Sequence, residues 1–235
     1  MREPLAVAVA QPPCVPHGVA TNAETHAAVV RAAGARLVAF PELSLTGYEL
    51  DAAPLAPADP RLAPLVEACA EAGAVALAGA PVADPAGRVY IAVLAVDGGG
   101  ARVAYRKNWL GGAEPARFTP GGEPAVLVVD GWRLGLAVCK DTGVPRHAAD
   151  TAALGMDAYV AGLAEDDAGT VAERARRVAV EHRVWVAFAS FAGPTGGGYD
   201  RTAGCSGIWT PAGEVCARAG PEVGAVARTL ITQSA

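Results

Sequence analysis

Short apolar runs alternate with helical stripes along this 235-residue chain. The run LAVAVA, Leu5–Ala10, reads as a first strand. Thr21-Asn22-Ala23-Glu24 then has the spacing of a capping box, and an Ala-rich helix is expected to run from it to Gly34. The segment Arg36–Pro41 carries a short apolar strand, and Pro60 to Gly73 reads as a second helix, with Gly73 suited to the position just past its end. Ala74–Pro81, Val89–Val96 and Ala101–Arg106 follow as strands, and Gly98-Gly99-Gly100 supplies the turn between the last two. Ala125–Asp130 and Arg133–Val138 form a second hairpin around Gly131. A helix is expected over Pro145–Leu154, a strand over Ala158–Leu163, and an amphipathic helix over Val171–Arg183. That last helix has an apolar stripe of Val171, Ala175, Val178 and Ala179, with Glu173 and Arg177 as an i, i+4 pair on the other side. Trp185–Phe191, Gly207–Thr210, Glu214–Arg218 and Ala225–Leu230 close the chain as strands.

This order makes two similar halves, each with two helices. Strands apolar on both faces need cover on both sides. The expected fold class is therefore α/β: a four-layer αββα sandwich, with a three-layer doubly wound sheet as the alternative. There is no internal repeat and no linker, so residues 1–235 are expected to form one domain.

Composition narrows the functional classes. A formal charge of −5 without a basic stripe argues against nucleic acid as a partner. No apolar run reaches the roughly 18 residues a spanning helix needs, so no membrane association is expected. The N-terminus alternates like a strand and is not read as a signal peptide. Five cysteines, Cys14, Cys69, Cys139, Cys205 and Cys216, form no CxxC pair, which suggests reduced thiols and a cytoplasmic location. His17, His26, His147 and His182 are scattered, and no zinc site is expected.

The candidate chemistry lies at strand ends, where ligands bind in α/β sheets. Glu42 follows one buried strand, Lys107 another, and Cys139 a third. Lysine is rare here: of 19 basic residues only Lys107 and Lys140 are Lys, which leaves 19 − 2 = 17 Arg. Taken singly, Glu42 reads as a solvated acid, Lys107 as a surface cation and Cys139 as a small buried hydrophobe. Taken together they are a sufficient set for nucleophilic acyl chemistry: a carboxylate to take the thiol proton, a thiol to attack, and a compact ammonium to stabilise the oxyanion. A Cys–His pair with His147 or His182 as base is the rival assignment, and implies an acyl transferase.

At these residues the chain resembles the nitrilase superfamily of carbon–nitrogen hydrolases. LVAFPELSLTGY resembles its glutamate motif, YRKNWLGGAEPARFTPG its lysine motif and LGLAVCKD its cysteine motif. AVAVAQ, VAVEHRVWVAFAS and AGCSGIWTPAGEV extend the likeness over almost the whole chain. The resemblance implies the four-layer sandwich, a homodimer or larger homo-oligomer, and hydrolysis of a small amide or N-carbamoyl substrate through a thioester. It implies Glu42 as general base and acid, Lys107 as oxyanion stabiliser, Cys139 as nucleophile, and Glu114 as the acid that holds Lys107. The backbone N–H of Lys140 would be a second oxyanion donor, and its side chain would point either into the pocket toward an acidic substrate or away from it. No metal or organic cofactor is implied. Cys139-Lys140-Asp141 departs from the Cys-Trp-Glu of true nitrilases and argues against nitriles. Trp109 stands where His is frequent, and His182 and Ser190 where Asn is frequent. Pocket walls are expected from the loops Leu43–Pro57, Gly111–Pro120, Gly162–Gly169 and Gly193–Thr202, with the Gly-rich GPTGGGYD segment read as a turn more than a mobile edge. A non-catalytic, metabolite-binding member of the same fold is the competing reading.

Overall fold

A computed structural model describes residues 2–233. The first half runs β1 (Leu5–Ala10), α1 (Val19–Ala33), β2 (Leu37–Ala39), α2 (Ala63–Ala72), β3 (Val75–Ala83), β4 (Val89–Asp97) and β5 (Gly100–Arg106). The second runs β6 (Ala125–Val129), β7 (Trp132–Val138), α3 (Pro145–Ala153), β8 (Ala158–Leu163), α4 (Ala168–His182) and β9 (Trp185–Ser190). A small hairpin follows, β10 (Ala192–Gly193) with β11 (Thr202–Ala203), then β12 (Gly207–Trp209), β13 (Val215–Arg218) and β14 (Val226–Ile231).

The strands form two six-stranded sheets, ordered β14-β1-β2-β3-β4-β5 and β13-β12-β9-β8-β7-β6. In each the centre is parallel, β1 to β3 in one and β7 to β9 in the other, and the flanks are antiparallel. The last strand crosses back to pair with β1, Leu5 opposite Ile231, so the chain's end is tied to its beginning. Alternation within strands sorts the layers. Val7, Val9, Leu37, Leu77 and Val93 of the first sheet join Leu134, Leu136, Val160 and Val186 of the second in one core. The other face of the first sheet (Ala8, Val38, Ala76, Ala78, Leu94) packs on α1 and α2 through Ala23, Ala27, Val30, Leu65 and Ala68. On the second sheet, the buried stripe Val171, Ala175, Val178 and Ala179 of α4 is the one its spacing predicts. The four-layer αββα sandwich is thus the observed architecture. Alanine at the helix–sheet contacts lets helix backbones lie close to the sheets, which accounts for an apolar composition with few large side chains.

Two expectations at helix level change. The capping box at Thr21–Glu24 does not start α1. The helix begins at Val19 after Gly18 and has no side-chain cap. Buried Asn22 reaches back instead, taking the Val15 N–H (2.7 Å) and donating to the carbonyls of Val15 (2.9 Å) and Leu45 (3.1 Å). Three bonds from one buried amide outweigh a solvent-exposed cap. α4 likewise starts earlier than its apolar stripe, at Ala168, because the Asp167 carboxylate accepts from the N–H groups of Gly169 and Thr170. Among the described residues no helix is long and apolar enough to cross a membrane.

Two glycines decide how closely the sheets approach the segment after β2. A Cβ on Gly79 of β3 would lie 2.2 Å from the Leu43 nitrogen and 2.7 Å from the Pro41 oxygen. A Cβ on Gly162 of β8 would lie 2.6 Å from the Phe40 oxygen and 2.8 Å from the Glu42 nitrogen. The Phe40–Leu43 backbone is clamped between the two sheets by residues that have no side chain to displace it. Gly162→Ala should therefore destabilise the fold by about 1–3 kcal/mol in denaturant unfolding, since the obstructing atoms are backbone and cannot rotate away. An unchanged midpoint would show that the clamp yields without cost.

Candidate active site

The clamped segment delivers a carboxylate. Glu42 lies just past β2, its side chain fully buried, in a turn held by the Leu45 N–H on the Gly79 carbonyl (3.0 Å) and the Thr46 N–H on the Leu43 carbonyl (2.9 Å). Lys107 follows β5, and its N–H continues the ladder to the Ile91 carbonyl at 2.8 Å. Its ammonium is 1 % exposed and donates at 2.7 Å to Oε1 of Glu42 and at 2.7 Å to Oε1 of Glu114. Glu114 is itself fixed: its Oε1 also accepts from the Tyr48 hydroxyl at 2.9 Å, and its Oε2 from the Gly111 N–H at 2.9 Å. Cys139 directly follows β7 with φ +41° and opens a 3₁₀ turn over Cys139–Gly143. A left-handed backbone at a non-glycine residue is strained, and the strain turns the thiol sharply off the strand end. The Lys140 N–H, among the first in that turn, has no acceptor within it.

Burial dominates the electrostatics. It pushes the Glu42 carboxyl up to about 8, against the pull of the Lys107 charge, with Glu114 adding to the rise. Lys107 is pulled down by burial, but Glu42, Cys139 and Glu114 more than reverse this and hold it as an ammonium. The Cys139 thiol is pushed well above its ordinary range, by burial first and then by Glu42. Oε2 of Glu42 is buried and has no hydrogen-bond partner, while the neighbouring thiol is close enough to lower the Glu42 pKa. The site therefore holds a protonated thiol beside a carboxyl oxygen left open to exchange a proton near neutral pH.

A polar network joins the cysteine turn to the lysine loop. Buried Asp141 accepts from Trp109 N–H (2.8 Å), Val138 N–H (2.9 Å) and the Tyr105 hydroxyl (2.8 Å). His147 bonds to the hydroxyls of Tyr105 (2.8 Å) and Tyr159 (2.7 Å). Burial lowers its pKa, despite Asp141. His147 is thus engaged by two tyrosines. His182 lies in another cavity, lined also by Arg2, Trp132 and Trp185. Neither histidine makes a hydrogen bond to Cys139, as the rival Cys–His assignment requires. Arg177 is not paired with Glu173: its guanidinium donates at 2.6 Å to the Thr142 carbonyl and steadies the cysteine turn.

The site opens into a cavity of about 350 Å³ lined by Tyr48, Lys107, Glu114, Cys139, Lys140 and Glu165, among others. All four loops expected to build the walls contribute, through Tyr48 and Leu50, Gly111–Glu114, Glu165 with Asp166, and Gly197–Tyr199. The Gly-rich segment is a turn, bonded through Thr195 and Gly196 to the Gly47 carbonyl, and it is also a wall of the pocket. Lys140 lies at the rim with its stem across Gly111, where an added Cβ would sit 3.0 Å from Cδ. Sequence reasoning did not single out Tyr48, Tyr105, Asp141, Glu165 or Arg174. Tyr48, Tyr105 and Asp141 lie inside quoted motifs and Glu165 inside an expected wall loop, while Arg174 had no local signal. His17, Glu49 and Asp51 bring ligand atoms within 4.8 Å of one another at the surface, with His17 Nε2 3.9 Å and 3.5 Å from the two acids.

Comparison with known proteins bears on this geometry. The profile of the family described as Carbon-nitrogen hydrolase matches residues 6–233. A protein of Pseudomonas protegens, described as a hydrolase in the pqqF 5′ region, is 32% identical over 243 residues, covering 97% of this chain and 83% of its own. The amidase from Nesterenkonia sp. AN1, solved with the acetamide moiety of fluoroacetamide added covalently at its active-site cysteine, is 26% identical, with a TM-score of 0.84 over 97% of this chain and 90% of that one. A nitrilase-superfamily member of Saccharomyces cerevisiae shares the fold at TM-score 0.85 and 21% identity, over 97% and 90% of the two chains.

The ion triple makes a prediction of its own. At pH 9, above the range in which Glu42 keeps its proton, Lys107→Met leaves two buried carboxylates without their cation and should cost about 3–5 kcal/mol in denaturant unfolding. Adding Glu42→Gln and Glu114→Gln to that variant should recover a substantial part, because neutral amides remove the uncompensated charge. No recovery in the triple variant would mean that Lys107 acts by packing and not by charge.

Proposed function

The chain belongs to the carbon–nitrogen hydrolase family, and on that premise we propose that it is a cysteine-dependent amidase acting on a small amide or N-carbamoyl compound. The observation that supports this most is the Lys107 ammonium held between Glu42 and Glu114, with Lys107, Glu114 and Cys139 lining one cavity. The related amidase, in which the acetamide moiety of fluoroacetamide is added covalently at the active-site cysteine, supports a reactive thiol at the matching place.

In this scheme Oε2 of Glu42 takes the Cys139 proton as the sulfur attacks the amide carbonyl. The oxyanion is stabilised by the Lys107 ammonium and the Lys140 N–H. Glu42 returns the proton to the departing nitrogen, so ammonia or amine leaves and a thioester remains. Water then attacks the thioester, Glu42 takes its proton and hands it to the sulfur, and the acid is released with the thiol restored. Atoms and protons balance over the cycle, with one water consumed. A thiol that is neutral at rest suits this order, because it ionises only as it attacks. Glu114 touches no reacting atom here; it holds Lys107. A cytoplasmic, homo-oligomeric enzyme without cofactor completes the proposal.

Ammonia release from a panel of small amides and N-carbamoyl acids tests it. Cys139→Ala and Glu42→Gln should each abolish turnover, and Lys107→Arg should fail too, since a planar fork cannot serve two carboxylates and an oxyanion at once. Full activity in Cys139→Ala would sink the scheme; no release from any compound by the intact protein would favour the metabolite-binding reading. The pH dependence has a definite sign. Below about 8 the Glu42 carboxyl keeps its proton and cannot accept another, so kcat/KM should rise with pH through that region. A profile already flat from pH 5 upward would contradict Glu42 as the base.

A further inference from the structure

The pocket holds a carboxylate that the hydrolytic scheme does not use. Glu165 lies just past β8, and its Oε1 stands 3.9 Å from the Cys139 sulfur. Three contacts keep it there. The Arg174 guanidinium on α4 donates to Oε1; the Glu165 carbonyl accepts from the Ala203 N–H at 2.8 Å; and Arg174 is itself packed on Gly143, where a Cβ would sit 3.3 Å from its Nε. The pair is half-buried, at 17 % and 24 % side-chain exposure for Glu165 and Arg174, so it is neither a free surface ion pair nor a sealed one. Oε2 of Glu165 has no hydrogen-bond partner among the described residues, and Asp166 beside it lines the same cavity without an ion pair. The Tyr48 and Tyr199 rings line the cavity as well.

The distances say what this carboxylate meets. When Cys139 is acylated, the carbon next to the carbonyl is two bonds from sulfur. A substituent on it falls within hydrogen-bond reach of a carboxylate 3.9 Å from that sulfur. A cation there gains a charge-assisted bond to the Glu165 carboxylate, and aromatic walls favour it. An anionic acyl group would set a second carboxylate against Glu165 in a partly desolvated pocket. We infer that Glu165 is a specificity-determining residue that selects acyl groups bearing an ammonium on that carbon, so that the preferred substrates are α-amino acid amides. The inference rests on the amidase reading above.

The test compares kcat/KM for ammonia release from alaninamide, propionamide and malonamate at pH 6.5, below the usual α-amino range of about 7.7–8.0. The three place an ammonium, a hydrogen or a carboxylate near Glu165. The intact protein should favour alaninamide over propionamide by about tenfold and use malonamate worst. Glu165→Gln keeps the shape, and should lower the alaninamide-to-propionamide ratio about tenfold. The ratio is the quantity read, so any loss common to both substrates cancels. Propionamide or malonamate used as well as alaninamide by the intact protein overturns the inference, and so does an unchanged ratio in Glu165→Gln. Should the variant fail to fold or to turn over, the three-substrate order of the intact protein decides alone. No ammonia from any of the three overturns the amidase reading itself, and this inference with it.

Discussion

The site depends on one interaction, the buried ammonium of Lys107 held between Glu42 and Glu114. None of the three charges is tolerable alone in that position, because the desolvation of each must be met by the others. The two carboxylates are not equivalent. Glu114 accepts from Lys107, Tyr48 and Gly111, which uses both its oxygens. Glu42 accepts from Lys107 on one oxygen and leaves the other buried and empty. With the same cation between them, one acid is an anchor and the other is left free to move a proton, a division set by the number of donors around each.

That arrangement needs three chain segments to meet across the gap between two sheets, and the backbone is deformed to allow it. Cys139, Leu43 and Tyr48 all have positive φ, between 41° and 58°. Each carries a side chain that would be relaxed elsewhere on the map, so surrounding packing must hold it there. Gly79 and Gly162 supply the closeness from either side, and Asp141 supplies the tie between the cysteine turn and the lysine loop. The sandwich matters to the site because it sets strand ends of both sheets against each other, with Glu42 and Lys107 from one and Cys139 from the other.

The layers, and the three strand-end residues Glu42, Lys107 and Cys139 that the fold gathers, were legible in the sequence because both are local signals. Buried strands show as short apolar runs, and a reactive residue directly after such a run is visible without knowing the partner. What could not be read was whatever depends on distant pairing. The Tyr48–Glu114 bond spans 66 residues and the Tyr105–Asp141 bond 36. Glu165 looks like a loop acid until Arg174, nine positions on, is seen to hold it. The capping box failed for the same reason. Thr21 and Glu24 fit a local rule, but Asn22 had a tertiary use, a bond to Leu45 that no local pattern announces. Arg177 fitted the i, i+4 rule with Glu173, and the turn after Cys139 took it instead.

The scarcity of lysine has a geometric explanation at one of its two positions. Arginines at the surface of this protein pair two-pronged with single carboxylates, as Arg31 does with Glu71 and Arg36 with Asp130. A guanidinium is planar, and a fork spent on one carboxylate points its remaining donors in the same plane. Lys107 must instead serve two carboxylates on different segments, Glu42 and Glu114, each at 2.7 Å. An ammonium does this with two of its three protons, arranged around a point and not in a plane. The third has no acceptor among the described residues. In the proposed mechanism it is the proton that meets the developing oxyanion, so the count of donors on the amine, two for the protein and one for the reaction, is what makes lysine the residue this position requires.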